Sequence, residues 1–195
     1  VILSCGIEAS AIVPSGASTG TKEALELRDG DSAFMGKGVI KAVNNINNLI
    51  SPLLKNLNPE DQELIDKKLI DLDGTDDKSN LGANAILAVS LAVSHVAAKK
   101  RNVSLHQHFH DVYSDITGLS VEPNLPMPML NILNGGEHAD NNIDIQEFMI
   151  IPFNASTFHE AMRWSSEIYW NLKNILKNKS LSTAVGDEGG FAPNL

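Results

Sequence analysis

The sequence predicts two units in series: an α+β unit over residues 1–120 and a second unit over residues 125–195 that opens with strand, loop, strand and helix. Three observations carry this. Short apolar runs bounded by turn residues occur at the start and again past the middle, the mark of strands. Between Val39 and Lys100 the apolar residues instead recur at helical spacing. Between Thr117 and Pro128 the periodicity lapses and Pro123, Pro126 and Pro128 mark a link.

Val1–Leu3, a turn at Cys5 and Gly6, and Ile7–Val13 read as a short strand pair ending at Pro14. A loop of small residues, Ser15 to Gly20, follows. Val39, Val43, Ile46, Ile50 and Leu53 share one face of an amphipathic helix whose far face carries Asn and Lys. Asn58 and Pro59 read as the N-cap and first residue of a second helix running through Ile65 and Leu69 to Gly74. The third, Leu81 to Lys100, is apolar on nearly all sides, and Lys99, Lys100 and Arg101 suit the negative end of its dipole. Met127–Leu133 and Asp144–Ile151 read as strands around a long loop rich in Gly, Asn and Asp. A final helix over 156–179 carries Phe158, Ala161, Met162, Ser165, Ile168, Tyr169, Leu172, Ile175 and Leu176 on one stripe.

Composition narrows the function. With 43% hydrophobic and 20% charged residues and a mean hydropathy of -0.08, the chain has material for an ordinary core. A net charge of -9 disfavours sequence-independent binding to nucleic acid, which needs basic residues against phosphates. The single cysteine, Cys5, cannot form an intramolecular disulfide and fits a reducing compartment, so a cytoplasmic location is expected. No signal peptide is visible in residues 1–15. The most apolar stretch, Leu81–Ala98, is interrupted by Asn84, Ser90, Ser94 and His95, which favours a core helix over a transmembrane segment.

Some apparent sites fail on spacing. Gly30 to Lys37 is one residue too long between its glycines for a phosphate loop, and Gly38 stands where a hydroxyl residue is needed. His106, His108 and His110 could share a face, but without a carboxylate or cysteine at ligand spacing a solvated stretch after the third helix is the expected reading. Three other segments combine backbone freedom with reactive groups. Pro14–Gly20 (PSGASTG) could close over a ligand and offer oxygens to a hard cation, or be a surface turn. In Asn134–Glu147 (NGGEHADNNIDIQE), His138 lies on a flexible loop. Strand alternation places Glu147 on the face of Ile145 and Met149, expected to be buried. A buried carboxylate there marks either a site or a structural salt bridge. Gly186–Gly190 (GDEGG) sets two carboxylates in a tight turn, which serves acid–base chemistry or is an acidic surface loop.

Five segments in order, VPSGASTG (Val13–Gly20), EALELRDGD (Glu23–Asp31), LGANAILAVSLA (Leu81–Ala92), LNILNGGEHADNNIDIQEFMI (Leu130–Ile150) and TAVGDEGGFAPN (Thr183–Asn194), closely resemble enolases. The loop with Glu137, Asn141 and Asn142 is similar to the bacterial-type version. The resemblance implies an α+β N-terminal domain, a β-meander then helices, followed by the start of an α/β, TIM-like enolase barrel. It implies a lyase, phosphopyruvate hydratase, dehydrating 2-phosphoglycerate to phosphoenolpyruvate with two Mg2+ ions, acting as a homodimer. The location implied is cytoplasmic, with cell-surface or secreted forms as in related enolases. Non-catalytic surface binding is the competing class. Carried over residue by residue, Glu188 matches the general acid and Glu147 the second carboxylate near the leaving group. Gln146 and His138 match substrate contacts, and Ser18 a metal ligand of a closing loop. Because Gln146 and Glu147 are adjacent, both can face one site only at a strand end or irregularity. The first-metal carboxylates, the lysine base and the phosphate-binding residues are expected beyond residue 195, since such a barrel takes roughly 250 residues. Residues 1–195 alone, which read as a piece lacking both ends, are therefore expected to be inactive.

Overall fold

Gly6, at φ 85°, turns the chain so that Val1–Leu3 and Ile7–Ala9 run antiparallel. Leu3 donates to Ile7 O (2.8 Å) and Ala9 to Val1 O (3.0 Å). This is the predicted strand pair reduced to a single bridge, Ile2 with Glu8. A lone two-stranded ribbon with little apolar cover is marginal, and Ile12 beyond it is 86% exposed. The computed structural model describes residues 1–16 and 18–195. They divide into two units, Val1–Ser15 with Gly20–Pro123, and Gly16–Thr19 with Asn124–Leu195.

In the first unit the predicted helix over residues 39–54 forms as α1 (Ile40–Asn45), a π-helical stretch (Ile46–Ile50) and α2 (Ser51–Leu54). Pro52 has no N–H to give, so the regular ladder cannot run through it, and the π turn takes up the difference just before it. Helix α3 (Gln62–Asp73) starts later than predicted. Its N-cap is Asp61, whose carboxylate accepts from Leu64 N–H, rather than Asn58. Gly74, in the left-handed region at φ 70°, closes it. Helix α4 (Ala83–Arg101) is the predicted core helix, with Ala85, Val89, Val93, Val96 and Ala97 buried. Its small residues let α3 and the first helix approach. Ala42, Ile50, Ile65, Leu69 and Leu81 complete the core. Gln62 and Ser94 form a buried polar link between α3 and α4, the Ser94 hydroxyl donating to the Gln62 carbonyl oxygen at 2.8 Å.

The expected solvated stretch at His106–His110 is instead a fifth helix, α5 (Leu105–Thr117), capped by Ser104 and Gly118. Its apolar stripe runs Leu105, His108, Phe109, Val112, Tyr113, Ile116. His108 occupies a core position at 1% exposure, so a histidine stands where the pattern calls for an apolar residue. Burial, with Arg101 beside it, holds its pKa below the usual histidine range.

The second unit opens with β1 (Leu130–Asn134) and β2 (Glu147–Ile150), an antiparallel pair and each shorter than predicted. Register runs Asn131 with Met149, then Leu133 with Phe148, so Ile132 is an extra residue, a β-bulge. On the other side of β1, Phe191 bridges Leu133 in parallel. Ile145 and Met149 are 58% and 48% exposed, which corrects the expectation that their face is buried. Helix α6 (Phe158–Asn178) matches the predicted span. Thr157 caps Glu160 N–H while the Glu160 carboxylate accepts from Ser156 N–H, a reciprocal pair that starts it cleanly. Ala161, Ser165 and Leu176 of its stripe are buried. Among the described residues no helix is long and apolar enough to cross a membrane.

Candidate functional site

The site lies in the second unit, where the turn after β1, the residues leading into β2 and the Gly186–Gly190 turn meet. The chain leaves β1 at Asn134 through Gly135 and Gly136, folds one 3-10 turn over Gly136–His138, and returns at Gln146. Backbone bonds close this loop on itself: Gly135 N–H to Gln146 O (3.0 Å) and Gly136 N–H to Ile143 O (2.7 Å). The Asn141 amide donates to Asn134 O at 2.9 Å. Asn142 clasps the last residues, donating to Leu195 O and accepting from Leu195 N–H. The predicted Gly- and Asn-rich loop is thus ordered by its own polar side chains.

His138 is the centre, its side chain 2% exposed. On one edge of the ring its Nε2 lies 2.8 Å from the Gln146 amide nitrogen and 3.3 Å from Ser18 Oγ. With the Gln146 amide nitrogen assigned to this edge, Nε2 accepts and the tautomer that follows carries its proton on Nδ1. On that other edge Nδ1 lies 3.5 Å from Glu147 Oε1 and 3.6 Å from Glu188 Oε1, with no hydrogen bond to either. The ring therefore turns an N–H toward two carboxylates, an electrostatic contact with both. Glu147 is a quarter exposed and Glu188 two-fifths.

All five residues singled out from the sequence come together here. Gln146 and Glu147 reach the same histidine because Gln146 stands just before β2 and Glu147 is its first residue, the strand end that their adjacency requires. Glu188 sits at the tip of a turn closed by Gly186 N–H to Gly190 O (2.9 Å) and Gly189 N–H to Gly186 O (3.1 Å). Before it, Val185 forms a single antiparallel bridge with Phe191. A cleft of the first unit, lined among others by Val1–Cys5, Ile50, Ile65, Val93 and Lys100, has no such grouping of histidine and carboxylates among its lining residues.

Sequence reasoning missed the residues that hold this cluster in place. Asn134 is fully buried beneath the turn, and its side chain lies where a Cβ on Gly186 or Gly190 would stand. Asn134 N–H donates to Phe191 O and Phe191 N–H to Ile132 O, both at 2.9 Å, so the bulged carbonyl anchors the end of the GDEGG turn. Tyr169 of α6 stacks on Phe191 with ring centroids 4.3 Å apart. Alternation and glycine content point to loops, but nothing in them identifies a buried amide or a bonded tyrosine within an apolar stripe.

Residues 1–109 match the family model for the enolase N-terminal domain, and residues 122–195 match that for the enolase C-terminal TIM barrel domain. The chain belongs to the enolase family. It is an enolase-family lyase, with an N-terminal α+β domain followed by the start of the family's barrel domain. In this enolase, His138, Glu147 and Glu188 form a group able to hold a metal ion, their ligand atoms lying within 4.8 Å of one another. Its fit to magnesium is poor. Mg2+ requires near-octahedral oxygen donors at roughly 2.0–2.1 Å, whereas this group mixes a ring nitrogen with two carboxylates. Nδ1 could ligate only if its proton left or moved to Nε2, with the Gln146 amide turned to present its oxygen. Ser18 adds a single hydroxyl, turned toward His138.

Proposed function

We propose that this enolase is a phosphopyruvate hydratase, removing water from 2-phosphoglycerate to give phosphoenolpyruvate. The observation that supports the reading is the convergence of Glu188, Glu147, His138, Gln146 and Ser18 in one place. The reaction removes a proton from C2 and then hydroxide from C3. Hydroxide is a poor leaving group, so a carboxylic acid must protonate it as the C3–O bond breaks. Glu188, at an exposed turn tip beside a buried histidine, takes that role in this proposal: its O–H bond breaks, its carboxylate remains, and water departs. Glu147 sets a second negative group on the same histidine N–H. That N–H offsets the charge Glu188 acquires. Gln146 and Ser18 hold the ring's tautomer from the other side, which keeps Nδ1–H facing the acids.

Magnesium, when bound, would supply positive charge that stabilises the enolate beside a lysine or histidine base, the pattern of the enolase superfamily. Among the described residues the oxygens at the site are too few to satisfy that ion. We propose the activity for the protein that also carries the base and the remaining ligands, with Ser18 supplying one oxygen to the metal set.

The test is the appearance of the enol absorbance of phosphoenolpyruvate when the full-length protein meets 2-phosphoglycerate in magnesium buffer. Glu188→Gln should lower kcat by about 10²–10⁴-fold. An E188Q variant that turns over at the parent rate would remove Glu188 from the reaction.

A further inference from the structure

The Gly186–Gly190 turn meets the rest of the site at two peptide groups that flank Glu188. On the N-terminal side Asp187 N–H donates to His138 O at 3.1 Å. On the C-terminal side the Tyr169 hydroxyl donates to Gly189 O at 2.9 Å. Glu188 lies between them. The second anchor comes from a residue of α6, far along the chain from the loop that carries His138.

We propose that Tyr169 is a positioning residue for Glu188, fixing the acid's reach through the Gly189 carbonyl; the inference rests on the reading of Glu188 as the acid. Three features make this tyrosine more than a helix residue that touches a loop. Its ring is stacked on Phe191, with planes 21° apart, and Phe191 is 1% exposed. Phe191 is itself tied to β1 by both its N–H and its carbonyl. The phenol is thus held against the strand that launches the His138 loop, so one rigid group references both sides of the site. The carbonyl it holds belongs to a residue with no side chain to pack: Gly189 is at φ 82°, with nothing within 4 Å of where a Cβ would stand, and its N–H bonds within the turn to Gly186 O. A glycine in open space exchanges backbone states at low cost. Released from the tyrosine, the Gly189–Gly190 peptide loses its anchor to α6, the turn is then held on this side through Gly189 N–H to Gly186 O within itself, and the Glu188 carboxyl shifts with the turn. Misplacement of a reacting group by about 1 Å is enough to cost on the order of 10²-fold in rate.

Tyr169→Phe isolates the hydroxyl, because the phenylalanine keeps the stack on Phe191. In the full-length enzyme two rates are measured on the same substrate: exchange of the C2 proton with solvent deuterium, which needs binding and the base but not Glu188, and dehydration, which needs Glu188. The expected result is a fall in dehydration kcat of about tenfold with KM and C2 exchange within about twofold of the parent. E188Q should show the same split, more severely, and adding Y169F to E188Q should cost little further, since a positioning residue acts only through the group it positions. Equal losses in exchange and dehydration would assign Tyr169 a merely structural role and overturn the proposal. So would an unchanged dehydration rate, which would mean that water replaces the phenol. If the parent protein dehydrates a different 3-hydroxy acid, the substrate reading fails, and the same ratio of exchange to elimination on that acid still decides the role of Tyr169.

Discussion

Gly186→Ala tests whether close packing, not backbone freedom, is why glycine stands in the turn that carries Glu188. Gly186 is not in the left-handed region, so alanine is free to adopt its backbone conformation. Space is the obstacle: a Cβ there would lie 2.5 Å from His138 O, 2.8 Å from Asn134 Cβ and 3.1 Å from Asn134 Cγ. Restoring ordinary contact moves the His138 carbonyl and the turn apart by about 0.9 Å. Asn134 is buried and cannot yield. The same carbonyl accepts from Asp187 N–H, so relieving the clash opens the bond that anchors the turn beside Glu188. Overpacking of this kind costs about 1–3 kcal/mol, or roughly 5 °C in Tm for a domain of this size. A displacement near 1 Å at the acid costs on the order of 10²-fold in kcat. Gly118→Ala is the control. It sits at φ 70° after α5 with nothing within 4 Å, and should lose about 1 kcal/mol of stability from backbone strain with no loss of rate. Both variants are melted by circular dichroism and assayed for dehydration in the full-length protein. If G186A kept the parent kcat while losing as much stability as G118A, the turn's position would not matter to the reaction and the reasoning would fail.

Two further predictions concern the first unit. Asp73 is 1% exposed and accepts from Thr75 N–H (3.0 Å), the Thr75 hydroxyl and Leu81 N–H (2.7 Å). Burial pushes its pKa up, but these donors outweigh it and hold the carboxyl below its ordinary range. Its stabilisation is complete above the unfolded value and fades as the pH falls below about 4. Asp73→Asn turns an amide NH2 toward one of those donors and should cost about 2 kcal/mol, measured by urea unfolding; a loss under about 0.5 kcal/mol would contradict it. His108 has the opposite logic. Its folded pKa lies below that of the unfolded chain, so below about pH 6.5 the unfolded state gains the proton first and stability falls as the pH drops. His108→Leu should flatten the decline of Tm between about pH 6.5 and 5, and an unaltered slope would show that His108 is not its source.

What the sequence discloses follows from which interactions are periodic. Helices α3, α4 and α6 are legible because one face of each repeats every third or fourth residue, and α4 is recognisable as central because alanine and valine surround it. Helix α5 hides because His108 fills an apolar position and His106 and His110 make the stretch look polar. A histidine at 1% exposure carries no periodic signature. Of the five candidates, His138 and Glu188 are legible as reactive residues in loops and Glu147 as a carboxylate in a strand, Gln146 and Ser18 come with the enolase resemblance, and the structure adds that they meet. Their spacing cannot reveal that Ile132 is bulged, since a bulge is a register event between two strands. Nor can it reveal that Tyr169 uses its hydroxyl, because on the helix stripe it reads as one more apolar residue.

The glycines of the site call for a different inference from the one that composition invites. A run such as Asn134–Gly136 followed later by Gly186–Gly190 suggests mobile loops, and mobility suggests closure over a ligand. The geometry separates two uses. At Gly189 the left-handed φ and the open surroundings fit a turn that glycine permits. At Gly135, Gly186 and Gly190 the backbone is ordinary and the space is absent: a Cβ would fall 2.5 Å from Ile143 O, 2.5 Å from His138 O and 2.6 Å from Asn134 Oδ1, respectively. Gly135 packs on the backbone of Ile143 and Ile145, Gly186 on the His138 carbonyl and the Asn134 side chain, and Gly190 on the Asn134 side chain and the β1 backbone. That packing makes the base of the site dense, as in any protein interior, where even one methyl group is felt. The turn bearing Glu188 is therefore closely packed at Gly186 and Gly190 and open at Gly189, whose N–H bonds within the turn to Gly186 O. At the residue after Glu188 the backbone freedom of glycine meets open space, and it is there that the Tyr169 hydroxyl bonds.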